Sequence, residues 1–150
     1  MKAQDPDYQT RTHNSFSRQA VMQTLDARLH IQEPGKVSIH FPYKADFTQQ
    51  NGYVHAGIVT TVLDSDCGYA AFTLMPANAD VLTVEFKVNL LRPARGDRFT
   101  ATASVVKAGR TLTVAEAALH SPEYGDHKPV ATMTATIMTV THPDTTQELT

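Results

Sequence analysis

The residues best suited to chemistry lie on one predicted helix. Apolar side chains recur at helical spacing between Gly57 and Met75, and Pro76 ends the run. The first amides of a helix lack intrahelical partners and carry the positive end of its dipole, so they would polarise a carbonyl oxygen placed near Gly57. Asp64 follows two turns later on the same face, where a carboxylate could act as a general base or as a nucleophile.

A motif precedes this helix, and two further segments follow it. The loop has the sequence Asn51-Gly52-Tyr53-Val54-His55-Ala56-Gly57, and Asp64 stands nine residues after His55. The later segments are Asn89-Leu90-Leu91-Arg92-Pro93-Ala94 and Lys107-Ala108-Gly109-Arg110. In order and spacing they resemble the PaaI-like group of hotdog-fold thioesterases over most of the chain between Phe41 and Leu119. The resemblance implies an acyl-CoA thioesterase that releases a carboxylic acid and free CoA and needs no cofactor.

The resemblance also assigns the two central roles. The amide of Gly57 would hold the thioester oxygen as an oxyanion hole. Asp64 would be the catalytic carboxylate, either activating water as a general base or attacking as a nucleophile through a mixed anhydride, and the sequence does not choose between these routes. In related sites the carboxylate commonly belongs to one subunit and the oxyanion amide to its partner.

Three further residues are candidates for the same site. His55 would either align the substrate carbonyl or cap the start of the helix. Gln49 stands where several relatives carry asparagine, and an amide in this loop can hold the attacking water or the thioester. Thr83 matches a position where relatives place a hydroxyl near the attacking water, although threonine is also a common strand residue.

The CoA moiety of the substrate requires cationic and backbone donors for its phosphates. Lys107, Gly109 and Arg110 match the nucleotide-end contacts of the family, and the alternative is that they form an ordinary charged turn. The glycine is expected to supply the unusual backbone angles of a tight hairpin.

The elements around the helix predict an α+β domain. One amphipathic helix is expected from Phe16 to Leu29, with Ser15 or Ser17 as its cap. Alternating apolar residues predict strands at 36–43, 82–90, 99–107, 111–120 and 130–140. The expected fold is therefore a hotdog domain, an antiparallel five- to six-stranded sheet wrapped around one long central helix, at 15–141, between a flexible polar leader at 1–14 and a polar tail at 142–150. One helix cannot cover both faces of such a sheet, which predicts a homodimer or homotetramer.

Composition excludes several classes of function. The 150 residues carry a formal net charge of -2, which gives no general attraction for nucleic acid. The polar start has no apolar run of the kind that a secretory signal or a membrane span needs, so a cytoplasmic protein is expected. Cys67 is the only cysteine and is expected to pack in the core, and the histidines lack the spacing of metal ligands. Asp66 is expected at a subunit interface or in solvent.

Two other functions fit the same fold. A hotdog dimer could bind acyl-CoA without turning it over, but such a protein would not need Asp64 beside the thioester. Hydration of an enoyl-CoA usually requires a paired aspartate and histidine with a different signature. The acyl group itself, whether aryl, short-chain or medium-chain, does not follow from the sequence.

Overall fold

The structure, a computed structural model, describes residues 1–142 and confirms the hotdog fold: one antiparallel sheet curves around a central helix. The helices are α1 (Tyr8–Arg18), α2 (Ala20–Thr24) and α3 (Ala56–Phe72), with a short 3-10 turn at Ala45–Phe47. The strands are β1 (Arg28–Glu33), β2 (Lys36–Pro42), β3 (Ala79–Leu90), β4 (Arg98–Ala108), β5 (Leu112–His120) and β6 (Ala131–Thr141). They lie in the order β1-β2-β4-β5-β6-β3, which leaves β1 and β3 at the two edges. The predicted polar tail lies, apart from His142, outside the described residues.

Helix α3 is the central helix that the sequence predicts. Its bounds follow from the residues at its ends, because His55 caps the start and Pro76 follows shortly after the end. The face toward the sheet is fully buried and apolar apart from Asp66; its large side chains include those of Val59, Val62 and Leu63. None of the helices described between residues 1 and 142 is long and apolar enough to cross a membrane.

Small side chains let the sheet wrap closely around α3. The alternation in β4, β5 and β6 directs alanines toward the helix, and these residues are fully buried: Ala101, Ala103, Ala115 and Ala135. Because alanine adds little volume between backbone and helix, the strands approach α3 more closely than large side chains would permit. The alternation in these strands therefore places the core on the face of the sheet that packs against α3.

The segment before β2 differs from the predicted single helix. Helix α1 begins at Tyr8, ahead of the expected caps Ser15 and Ser17, and the chain breaks at Gln19 before α2. Asp26 then takes a φ of 52°, a left-handed conformation that aspartate tolerates better than most residues and that ends the helical run. Residues 28–33, including the predicted helical position Leu29, form edge strand β1 instead.

The polar start of the chain is held against α3. Arg11 forms an ion pair with Asp5 at 2.7 Å and donates hydrogen bonds to the carbonyl oxygens of Phe72 (3.1 Å) and Met75 (2.8 Å). These carbonyls lie at the C-terminal end of α3, where a cation is favourable. The segment 1–14, expected to be a flexible polar leader, thus contains the start of α1, and Arg11 joins it to the end of α3.

Candidate active site

The carboxylate on α3 is paired with a side chain on β3. Thr83 Oγ1 donates a hydrogen bond to Asp64 Oδ1 at 2.7 Å. The register between β3 and β6 shifts between Thr83 and Glu85, so Val84 is the extra residue of a β-bulge. A bulge redirects the neighbouring side chain, and here the neighbour contacts the carboxylate. Among the described residues Asp64 Oδ2 has no hydrogen-bond partner, which leaves it free to accept a proton or to attack.

The start of α3 is closed by a histidine. His55 Nδ1 accepts a hydrogen bond from the backbone N–H of Gly57 at 2.8 Å, which satisfies one of the unpaired amides of the first turn. His55 was expected either to align the substrate carbonyl or to cap the helix, and in the structure its side chain caps the helix. The Gly57 amide is thus occupied by an acceptor that a substrate oxygen would have to share or displace.

Replacing His55 by alanine should lower the free energy of unfolding by about 1 kcal/mol, because the Gly57 amide loses its acceptor. His55→Asn should recover most of that loss, since asparagine is a good helix cap. Urea denaturation of the two variants and the wild type measures the difference. Equal destabilisation by both substitutions would show that packing of the imidazole ring, rather than capping, is what the domain loses.

The two predicted catalytic elements are far apart within one chain. From residue 57 to residue 64 the helix rises by about 10 Å. A reacting carbonyl group needs its oxygen within hydrogen-bond distance of the amide while its carbon lies close to the carboxylate or its water, a separation of about 3 Å in each case. The rise therefore disfavours a site in which Gly57 and Asp64 of the same helix act on one carbonyl group, most strongly for direct attack by the carboxylate.

The side chain of Gln49 shapes its own loop. Its Oε1 accepts hydrogen bonds from the amides of Asn51 (2.5 Å) and Tyr53 (3.4 Å), and Gly52 turns the loop with a φ of 83°. Gln49 also lines a cleft of about 480 Å³ beside the start of α3, whose other walls include Ala56 and Val59. The amide nitrogen of Gln49 has no partner among residues 1–142, so it remains available as a donor.

The predicted CoA contacts lie together on the β4–β5 hairpin. Lys107 and Arg110 are exposed and form no ion pair with any described residue. Gly109 does not take the left-handed conformation that the sequence argument assigns to it. It is needed for a different reason, because a Cβ there would lie 2.5 Å from the carbonyl oxygen of Leu112, which accepts the Gly109 N–H at 2.8 Å.

The expectation for Asp66 is wrong. The side chain is fully buried within a single chain, and neither carboxyl oxygen has a hydrogen-bond partner among the described residues. Burial raises the pKa of Asp66 well above its usual value, which favours the neutral acid in the core. It therefore contacts neither solvent nor a subunit interface.

Cys67 is buried as predicted, and burial likewise raises the pKa of its thiol, which leaves it inert.

Sequence reasoning missed one wall of the site. A cleft of about 410 Å³ opens beside Asp64 and Thr83, and α1 with the residue after it forms its far side through Ser15, Arg18 and Gln19. Nothing in the local sequence around residue 15 indicates this contact, because it depends on how α1 docks on α3.

The sheet wrapped around α3, with Asp64 on the helix and Gly57 at its start, has the arrangement expected of a hotdog thioesterase. Residues 51–125 match the family model for the thioesterase superfamily, and the chain belongs to that family. It is 55% identical to a thioesterase family protein from Silicibacter pomeroyi, whose solved structure has a TM-score of 0.86 and covers 90% of this chain and 99% of that one.

Two other relatives confirm the predicted resemblance. The medium/long-chain acyl-CoA thioesterase YigI of Escherichia coli is 31% identical over 98 residues, which span 57% of this chain and 61% of YigI. The structure of the PaaI protein from the phenylacetic acid degradation operon of E. coli has a TM-score of 0.80 at 18% identity and covers 89% of this chain and 94% of PaaI. The likeness to PaaI is one of fold.

Proposed function

We propose that this protein is an acyl-CoA thioesterase whose catalytic carboxylate is Asp64. The observation that carries the proposal is the pair of Asp64 and Thr83, in which the hydroxyl holds one carboxylate oxygen and leaves the other for the reaction. A side-chain hydroxyl at a β-bulge, aimed at a helical carboxylate, positions that group more firmly than solvent would. Membership of the thioesterase superfamily supports hydrolysis of a thioester as the reaction.

Asp64 acts on a water molecule or on the thioester carbon directly. As a base, Oδ2 removes a proton from water while the water oxygen attacks the carbonyl carbon; the CoA thiolate then leaves and takes up a proton. As a nucleophile, Oδ2 attacks the carbon itself, and the CoA thiolate leaves and takes up a proton; water then hydrolyses the resulting mixed anhydride, which releases the carboxylic acid and restores the Asp64 carboxylate. In both routes the Gly57 amide stabilises the oxyanion.

The site is completed by a second copy of the chain. Because Gly57 and Asp64 lie about 10 Å apart along α3, the amide that faces a given Asp64 comes from another subunit. The edge strand β3 offers the surface for this pairing, since it exposes Leu82, Val84 and Phe86 by 57%, 54% and 43%. Exposed apolar edges favour association, and a two-fold dimer would form two equivalent sites.

The CoA end of the substrate is assigned to the β4–β5 hairpin. Lys107 and Arg110 supply unpaired cations there, and Gly109 keeps the turn narrow. His55 and Gln49 flank the proposed oxyanion site, where an imidazole nitrogen and a free amide nitrogen can orient the thioester.

The test is release of free thiol from a panel of aryl-CoA and C4 to C16 acyl-CoA esters by the wild-type protein. We expect turnover of at least one class, with saturation kinetics. Isothermal titration with the same esters serves as the control for binding. Binding without thiol release would contradict the proposal and identify the protein as an acyl-CoA-binding module on a thioesterase fold.

A further inference from the structure

The cleft beside Asp64 has walls of unusual polarity for an acyl pocket. Apart from Val81 and Leu82, most of its lining carries hydrogen-bonding groups from α1, α3 and β3. It opens directly from the carboxylate that is proposed to act on the thioester. Because the CoA end of the substrate is assigned to the β4–β5 hairpin, this cleft is left for the acyl group.

A glycine keeps this cleft open. Gly68 lies one turn after Asp64 on the same face of α3, and a Cβ built there would meet only Val81 Cγ2, at 3.9 Å. The space is therefore not occupied by packing within the chain. Gly68 therefore leaves room in the cleft for an acyl group between Asp64 and the residues of α1.

The far wall presents donors and acceptors together. The Tyr69 hydroxyl lies 3.3 Å from Ser15 Oγ, and Ser65 Oγ donates to Gln19 Oε1 at 3.1 Å, which leaves the amide nitrogen of Gln19 without a partner among the described residues. Arg18 lines the same wall and makes no ion pair or hydrogen bond within residues 1–142. Contacts within the chain therefore position Tyr69 and Gln19, whereas the guanidinium of Arg18 is left for the contents of the cleft.

Two chemical classes of acyl group fit this wall poorly. A long alkyl chain would cover the groups of Arg18, Gln19 and Tyr69 without replacing their hydrogen bonds to water. An acyl group ending in a carboxylate would meet Asp64 and Asp80 as well as Arg18, so repulsion from two carboxylates opposes its attraction to one cation. A hydroxyl group fits both constraints, because it is neutral and can accept from Arg18 or Gln19 while donating to Asp80 or Ser15.

We infer that the cleft between α1, Gly68 and β3 selects short acyl groups that end in a hydroxyl, with Arg18 and Gln19 as the specificity-determining residues. The inference rests on the proposed function, since it names the acyl class that the Asp64 site hydrolyses. Arg18 and Gln19 act on the far end of the acyl group and not on the reacting carbon.

The experiment compares kcat/KM for matched pairs of esters, 4-hydroxybutyryl, 6-hydroxyhexanoyl and 8-hydroxyoctanoyl-CoA against butyryl, hexanoyl and octanoyl-CoA. In the wild type we expect at least one hydroxylated ester to exceed its partner by about 10-fold, because a site built for a hydroxyl rejects the analogue that lacks it. Arg18→Met and Gln19→Met should bring that ratio close to one, because they lower kcat/KM for the hydroxylated ester and raise it for the unsubstituted ester, which no longer covers a polar group.

Gln9→Leu is the matched control, because Gln9 is an exposed polar residue of α1 that does not line the cleft. Gln9→Leu should leave the ratio of kcat/KM between hydroxylated and unsubstituted esters unchanged. It therefore separates an effect of Arg18 and Gln19 on the cleft from a general destabilisation of α1. Hydrolysis of both members of every pair at equal rates would overturn the assignment of the cleft alone. Failure to release thiol from any ester would overturn the proposed function together with this inference.

Discussion

Asp64→Asn should lower kcat for thiol release by about two to four orders of magnitude. The amide keeps the size of the side chain and can still accept the hydrogen bond from Thr83, but it can neither take a proton from water nor attack the thioester carbon. Thiol release from the best ester of the acyl-CoA panel measures the loss. The free energy of unfolding should change little, because Asp64 is only half-buried and makes a single side-chain hydrogen bond within residues 1–142.

Thr83→Val tests whether the hydroxyl acts through the carboxylate. We expect a smaller loss than for Asp64→Asn, and no additional loss when the two substitutions are combined, since a positioning residue has nothing to position once the carboxylate is gone. Full activity in Asp64→Asn would assign the chemistry to another group and leave Asp64 as a surface carboxylate.

A mixing experiment tests whether the site is shared between chains. Gly57→Pro removes the proposed oxyanion amide without removing a backbone hydrogen bond, because that amide donates to the His55 side chain. Each variant alone should be inactive. If Asp64→Asn and Gly57→Pro chains are unfolded and refolded together, half of the dimers carry one intact site, so activity should return to about a quarter of the wild-type value. If the co-refolded chains recover no activity, Gly57 and Asp64 act within the same chain.

The sequence predicts the elements with strong periodicity. Strands β4, β5 and β6 alternate between buried and less buried positions, β2 departs from alternation only at the buried Ser38, and Pro76 limits α3. The edge strand β1 was missed because Leu29 and Ile31 are only partly buried, and Leu29 also falls in register with the helical residues before it. A short edge strand acquires its structure from its neighbour, which local patterns do not encode.

Site geometry depends on contacts that a sequence pattern does not contain. The spacing from His55 to Asp64 correctly predicts that both lie at or on α3, since helical periodicity is local. The bond from Thr83 to Asp64 requires a bulge at Val84, and the alternating pattern of β3 gives no sign of it. Asp66 was misplaced for a related reason: helical spacing puts it with Val59 and Val62, but a charged residue type favours an exposed position.

Asp66→Ala should stabilise the protein, and more strongly at alkaline pH. Burial raises the pKa of Asp66 in the folded state, whereas in the unfolded chain it is about 3.9. Below pH 3.9 both states hold the proton. As the pH rises above that value the unfolded state loses the proton and the folded state keeps it, so the free energy of unfolding falls by about 1.4 kcal/mol per pH unit until the folded pKa is reached. Alanine at position 66 removes this dependence of the free energy of unfolding on pH, and it also removes the unpaired polar group.

Urea denaturation at pH 5 and pH 8 measures two contributions of Asp66 to the free energy of unfolding: its titration and the burial of its unpaired polar group. At pH 8 we expect Asp66→Ala to exceed the wild type by at least about 2 kcal/mol, with a smaller difference at pH 5. Asp66→Asn separates the two causes, because it cannot titrate yet still buries an unpaired polar group; its gain should therefore grow with pH but stay below that of alanine. Asp46→Ala, a change at an exposed carboxylate in the 3-10 turn, should shift neither value. If the free energies of unfolding of Asp66→Ala and the wild type differ by the same amount at both pH values, Asp66 is ionised in the folded protein. A partner would then offset the cost of its burial.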